Sequence, residues 1–229
     1  MSTVLRRSLP NAITIARLAG AAGFFGVLAF GLSPSDPTHR AWWGNWAVAL
    51  FAAAAASDWL DGFLARRWGV VTDFGRVMDP FVDKVLVLGA FVYLASPKFA
   101  EPTWSVAWGL PAPDASINCA TGVASWMVVA MLARELFVTS LRSVLEARGV
   151  DFGADLTGKA KMVAQCVCVP WALLVTVNRW ALESEGWRLS QAVAVWTMVV
   201  VTVASAVPYA VRGARLLRTI AREPAHGAR

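Results

Sequence analysis

Charge is scarce in this sequence. Asp, Glu, Lys and Arg make up 16% of its 229 residues, where a soluble domain carries about 25%. That scarcity excludes an ordinary soluble fold. Cysteine is rarer still: Cys119, Cys166 and Cys168 are the whole set, and none stands at metal-finger spacing. Cys166 and Cys168 lie in an apolar run, where they read as small packing residues. Period-two alternation is missing too. Runs such as Phe51 to Ala56 and Met198 to Val201 are unbroken, which excludes the strands of a membrane barrel. Internal repeats, low-complexity segments and a second domain are all absent. No cleavable signal peptide is expected, because Leu9-Pro10-Asn11 precedes the first apolar stretch and no convincing cleavage site follows.

What the sequence has instead is apolar residues in long blocks, 57% of the chain. A hydrocarbon core of ~30 Å demands roughly 20 such residues per helix, and in lipid the backbone must satisfy its own hydrogen bonds. The blocks predict six spans, at about 12–32, 41–66, 76–96, 121–148, 157–178 and 188–216. Pro34 and Pro37 end the first. Pro97, Pro102, Pro111 and Pro113 mark a long loop after the third, and Asn178 to Gly186 separates the fifth from the sixth. The expected fold is an all-α integral membrane protein, a six-transmembrane-helix bundle over residues 1–217 with a basic tail at 218–229.

The basic residues orient it. An even number of spans puts both termini on one side, and that side receives seventeen of the 21 Lys and Arg. The other receives Arg40, Lys98, Arg179 and Arg188. Positive charge at span ends stays in the cytoplasm, so both termini are expected there, in a multi-pass protein of the inner (cytoplasmic) membrane. The net charge of +6 then reads as attraction to anionic lipid and phosphates, not to nucleic acid, since it sits at the mouths of apolar helices.

Ionisable residues inside spans are costly and mark function. The second and third spans hold a dense group: Asp58, Asp61 and Arg66, then Asp79 and Asp83. Asp58 and Asp61, three apart, share a helix face, as do Asp79 and Asp83, four apart. A short turn between makes the helices antiparallel neighbours, so four carboxylates can converge. In low dielectric they cannot all stay ionised alone. Two divalent cations cancel the charge. Oxygen-only ligation favours Mg²⁺ or Mn²⁺, and no nearby histidine or cysteine suggests zinc. Such a pair suits phosphoryl chemistry, neutralising and orienting a diphosphate. Gly62 and Ala65 keep the surface beside the aspartates small enough for a nucleotide, and Arg66 can pair with a phosphate. Interhelical salt bridges that merely lock the bundle would need matched charges, and here aspartates outnumber cations.

Asp58-x2-Asp61-Gly62-x2-Ala65-Arg66-x8-Gly75-x3-Asp79-x3-Asp83 resembles the signature of the CDP-alcohol phosphatidyltransferase family at every fixed position. The resemblance covers most of the chain and is closest to the branch whose acceptor is sn-glycerol 3-phosphate. It includes Leu9-Pro10-Asn11-x2-Thr14-x2-Arg17, Ala133-Arg134-Glu135-Leu136-x4-Leu141-Arg142, Gly158-Lys159-Ala160-Lys161-x3-Gln165, Ser205 and Tyr209. Met162, where that branch commonly has threonine, and the long loop from Pro97 to Ala120 depart from it.

The resemblance implies a phosphatidyl group moving from CDP-diacylglycerol to glycerol 3-phosphate, in a homodimer among membrane lipids. It implies that Asp58, Asp61 and Asp79 hold one metal, that Asp79 and Asp83 share a second, and that Asp83 is the general base. Gly62, Ala65, Arg66, Thr72 and Gly75 would line the CDP-diacylglycerol site, with Asn11 and Thr14 towards the cytidine. Asn11 serves equally well as a helix N-cap. Arg134, Arg142, Lys159 and Lys161 are the candidates for the acceptor phosphate, against ordinary positive-inside charge. Of these, Arg134 is expected to be buried. Rival acceptors on the same fold are phosphatidylglycerol, inositol phosphate and serine. Phospholipase-D chemistry is excluded, because neither His39 nor His226 begins a His-x-Lys motif. A carboxylate-lined transporter is disfavoured, because the acidic residues cluster at one face and no second set completes a path.

Overall fold

The computed structural model describes residues 3–32, 36–68, 73–99, 120–148 and 156–222. Among them every regular element is helical. Helix α1 (Thr3–Gly26) runs into a π-helical turn at Val27–Gly31. It is followed by α2 (Pro37–Trp68), α3 (Asp73–Leu94), α4 (Ser125–Glu146), α5 (Leu156–Val177), the single turn α6 (Trp180–Glu183), α7 (Glu185–Ala204) and α8 (Ala206–Arg222). The spans expected from hydropathy thus correspond to α1 with its π turn, α2, α3, α4, α5, and α7 with α8. Three stretches are long and apolar enough to cross a membrane by length and composition: Thr14–Gly31, Thr157–Val177 and Glu185–Leu216.

Local chemistry sets the boundaries. Asp36 caps α2, its Oδ1 accepting from the backbone N–H of Thr38 at 2.9 Å and of His39 at 3.2 Å, and Pro37 takes the first helical position. Ser184 caps α7 by accepting from Gly186 N at 3.1 Å. Helix α5 stops where Arg179 turns left-handed at φ 60°, and the Leu174 carbonyl accepts both the backbone N–H of Asn178 at 3.2 Å and its Nδ2 at 2.9 Å. The stretch expected as the sixth span is not one rod. Pro208 would drive its ring into the Ala204 carbonyl, so the chain breaks at Ser205 and restarts as α8. Helix α1, in contrast, carries on through Pro10. Asn11 therefore lies two turns inside it and is no N-cap.

The core is a contiguous apolar cluster drawn from α1, α2, α3, α4, α5 and α7. Phe24, Phe51, Phe91, Met131, Leu173 and Met198 sit at its centre, with Phe24 and Phe51 ring centroids 5.5 Å apart. Polarity is inverted relative to a soluble protein. Outward-facing Phe30 is 90% exposed and Leu136 67%, while Gln191 and Thr202 are wholly buried. Apolar side chains outside and hydrogen-bonded polar ones inside are what lipid as solvent requires. Gln191 Nε2 donates to Ala120 O at 3.0 Å and Thr176 Oγ1 at 3.1 Å; Gln165 Nε2 donates to Thr202 Oγ1 at 3.3 Å.

Contacts define two ends of the bundle. At one, Lys98 Nζ donates to the Leu28 and Ala29 carbonyls in the π-helical turn that follows α1. Nearby, Arg40 lies over the Phe99 ring and Asn45 pairs with Asn178 at 3.0–3.2 Å. Trp42, Trp46, Trp126 and Trp187 are exposed there, as expected of an interfacial belt. At this end a Cβ on Gly44 would stand 2.5 Å from Val177 Cγ1 and 2.6 Å from its Cβ, so α2 and α5 touch backbone to side chain. Val is stiff at χ1 and cannot give way. Gly44→Ala is expected to lower stability by about 1–3 kcal/mol, read as a fall in unfolding temperature in detergent. An unchanged temperature would mean the two helices separate without cost.

Candidate functional site

The opposite end gathers the C-terminal turns of α2, the first half of α3, and parts of α4, α5, α7 and α8. Helix α2 carries Asp58, Asp61, Gly62, Ala65 and Arg66 in its last three turns, and α3 carries Gly75, Asp79 and Asp83. The two helices are in contact, and Arg40 near the start of α2 donates to the Lys98 carbonyl just past the end of α3, so they run in opposite directions. Asp83 is half-buried. The side chains of Asn11, Asp58, Asp61, Ala65, Arg66 and Asp79 lie outside the described residues, as does Thr72 altogether. Among the described residues no group of three or more His, Cys, Asp or Glu is placed to hold a metal ion. The backbone fits the carboxylate set all the same. Both halves of the signature are helical, so the i,i+3 and i,i+4 spacings put each pair on one face.

A second cluster is resolved atom by atom. Arg134 on α4 is buried, 8% exposed. Its Nη1 donates to Glu135 Oε2 at 3.0 Å, its Nε donates to Ser205 Oγ at 3.0 Å, and its guanidinium carbon lies 5.7 Å from the Tyr209 ring centroid. Ser205 passes its own proton to the Thr202 carbonyl at 2.6 Å. The break between α7 and α8 therefore supplies the acceptor oxygen that holds Arg134. Lys161 on α5 reaches the same Glu135 Oε2 at 2.8 Å, and Lys84 on α3 stands 3.8 Å from Oε1 while donating to Thr139 Oγ1 at 3.0 Å. Gly158 leaves room for Tyr209, whose hydroxyl would be 3.0 Å from any Cβ there.

Of the four cations expected at the acceptor phosphate, the structure joins Arg134 and Lys161 through Glu135. It does not join the other two to them. Lys159 is exposed. Arg142 is half-buried two turns beyond Arg134, and its buried Nε has no hydrogen-bond partner among the described residues. Thr14 and Arg17 are buried at 3% and 2%. Sequence reasoning missed Lys84 and Glu135 as members of the cluster. Glu135 enters the sequence reading only within the motif that contains Arg134.

Residues 7–207 match the CDP-alcohol phosphatidyltransferase family. A Bacillus subtilis (strain 168) protein named CDP-diacylglycerol–glycerol-3-phosphate 3-phosphatidyltransferase is 31% identical over 225 residues, covering 93% of this chain and 98% of its own. Proteins of the same name from Escherichia coli (strain K12) and Shigella flexneri serotype 5b (strain 8401) are each 35% identical over 159 residues, 68% of this chain and 75% of theirs. A match that spans the aspartate-bearing helices, the Arg134–Glu135 cluster and the start of α8 makes this chain a member of the CDP-alcohol phosphatidyltransferase family.

Proposed function

We propose that this protein transfers a phosphatidyl group from CDP-diacylglycerol to sn-glycerol 3-phosphate, giving phosphatidylglycerophosphate and CMP. The observation that carries this reading is the cation cluster of Arg134 and Lys161, at the same end of the bundle as the aspartate helices. A phosphorylated acceptor explains a buried Arg134 and a half-buried Lys161 beside a site for a diphosphate donor. The relatives' shared name supports glycerol 3-phosphate over other phosphorylated acceptors.

In this reading an acceptor hydroxyl oxygen forms a bond to the lipid-side phosphorus of the donor. The bond from that phosphorus to the bridging oxygen breaks, and CMP leaves with the bridging oxygen. Asp83 takes the hydroxyl proton. Asp58, Asp61 and Asp79 would hold one Mg²⁺ or Mn²⁺, and Asp79 with Asp83 a second. Bound there, the ions would neutralise the diphosphate and the charge that develops on CMP. Gly62, Ala65, Arg66, Thr72 and Gly75 line the donor site, with Asn11 and Thr14 beside the cytidine. Arg134 and Lys161 bind the acceptor phosphate, with Arg142 and Lys159 as the further candidates. The chain works as a homodimer with six spans, termini and site facing the cytoplasm across the inner membrane.

The test is an acceptor panel with the purified protein, CDP-diacylglycerol and mass spectrometry of the lipid product. Glycerol 3-phosphate is expected to give phosphatidylglycerophosphate with equimolar CMP, and phosphatidylglycerol, inositol phosphate and serine to give little. A product from one of those instead, or no CMP release at all, would overturn the assignment.

A further inference from the structure

We infer that Glu135 is a positioning residue for the acceptor, holding Arg134 and Lys161 together as a cradle for a phosphomonoester; this rests on the proposed function above. The carboxylate meets cations from three helices: Lys161 of α5 at 2.8 Å, Arg134 of α4 at 3.0 Å and Lys84 of α3 at 3.8 Å. A fastening for the bundle would balance its charges. Here one carboxylate faces three cations, a formal excess of two positive charges, and a phosphomonoester carries close to two negative charges at neutral pH.

Donor capacity points the same way. An ammonium has three N–H donors and a guanidinium five. Lys161 spends one, on Glu135. Arg134 spends Nε on Ser205 and one Nη1 hydrogen on Glu135, and among the described residues its Nη2 donates to nothing. Both side chains are largely shielded, 13% and 7% exposed, so water is a poor substitute. Without Glu135 the two cations would repel each other across a low-dielectric gap and swing apart. Glu135 thus fixes where the cations stand and leaves their outer hydrogens to a ligand. Lys84 extends the link to α3, directly after Asp83, so one carboxylate ties the acceptor cradle to the helix that bears the base.

The experiment compares Glu135→Gln and Glu135→Asp with the wild type in detergent. Readouts are KM for each substrate, kcat, and equilibrium binding of glycerol 3-phosphate measured calorimetrically without donor. Glu135→Gln is expected to raise the acceptor KM and weaken calorimetric binding about tenfold to a hundredfold, the range over which outer partners orient a ligand-binding group. The donor KM should stay within twofold. Glu135→Asp keeps the charge on a shorter arm and should fall between. A mere fastening would lower the unfolding temperature without splitting the two KM values. If both variants keep the wild-type acceptor KM, or if neither folds, Glu135 belongs to the scaffold and the inference fails while the functional reading stands. If Glu135→Gln alone fails to fold, Glu135→Asp decides. If the wild type uses another phosphorylated acceptor, the functional reading fails and the same KM split on that acceptor decides the role of Glu135. An acceptor without phosphate overturns both.

Discussion

Asp83→Asn is expected to lower kcat by about 10²–10⁴-fold while CDP-diacylglycerol still binds, the span associated with losing a general base. Asp83 lies one turn beyond Asp79 on α3 and directly before Lys84, which meets Thr139 and Glu135 on α4. Among the aspartates of the signature it is therefore the one next to the residue that reaches Glu135, the partner shared by Arg134 and Lys161. An amide keeps its size and some ligand capacity but cannot take a proton. The loss should appear in kcat, with the donor KM little changed. The substitution also removes a negative charge, so the comparison is made at saturating Mg²⁺, reached by titration. Near-normal kcat there would mean that another group or a water is the base. Loss of donor binding at every metal concentration would make Asp83 a metal ligand and nothing more.

Removing divalent cations should have the largest effect of all. Chelation is expected to abolish CMP release, and Mg²⁺ or Mn²⁺ to restore it. In the proposed site, the four aspartates carried by α2 and α3 would present up to four negative charges to a diphosphate that is itself anionic. Like charges brought together in low dielectric oppose both their own ionisation and the approach of the donor. Binding of CDP-diacylglycerol should therefore weaken along with turnover, and donor binding gives a second readout independent of chemistry. Full activity in metal-free buffer would remove the two-cation reading of the signature.

Much of this was legible in the chain itself, for identifiable reasons. The apolar blocks locate α2 to α5 to within a few residues, because a lipid-facing helix must be apolar along its whole crossing. What hydropathy does not register is helix that continues past the apolar stretch. Helix α1 begins at Thr3, through Arg6 and Arg7, and α8 reaches Arg222. Nor does it register a break inside an apolar run. The interruption at Ser205 depends on Pro208 four residues after Ala204, a steric matter. The single turn α6 fell in a stretch read as a loop. At the site, the aspartate spacing could be read because it is local, within one helix at a time. The Glu135 cluster could not, because Lys84, Glu135 and Lys161 are 51 and 26 residues apart and meet only when α3, α4 and α5 pack.

The contact between Gly44 and Val177, with Asn45 and Asn178 paired beside it, gives α2 a fulcrum. From Asn45 to Asp58 the helix is a rod about 20 Å long at 1.5 Å per residue. Pivoting it by about 3° at the fixed end would carry its backbone at Asp58 through about 1 Å, a misplacement that can cost about 10²-fold in rate. The tightness of a joint at one end of the bundle thus sets the tolerance of the proposed chemistry at the other. Leverage of this kind makes small residues far from any substrate part of the enzyme's precision.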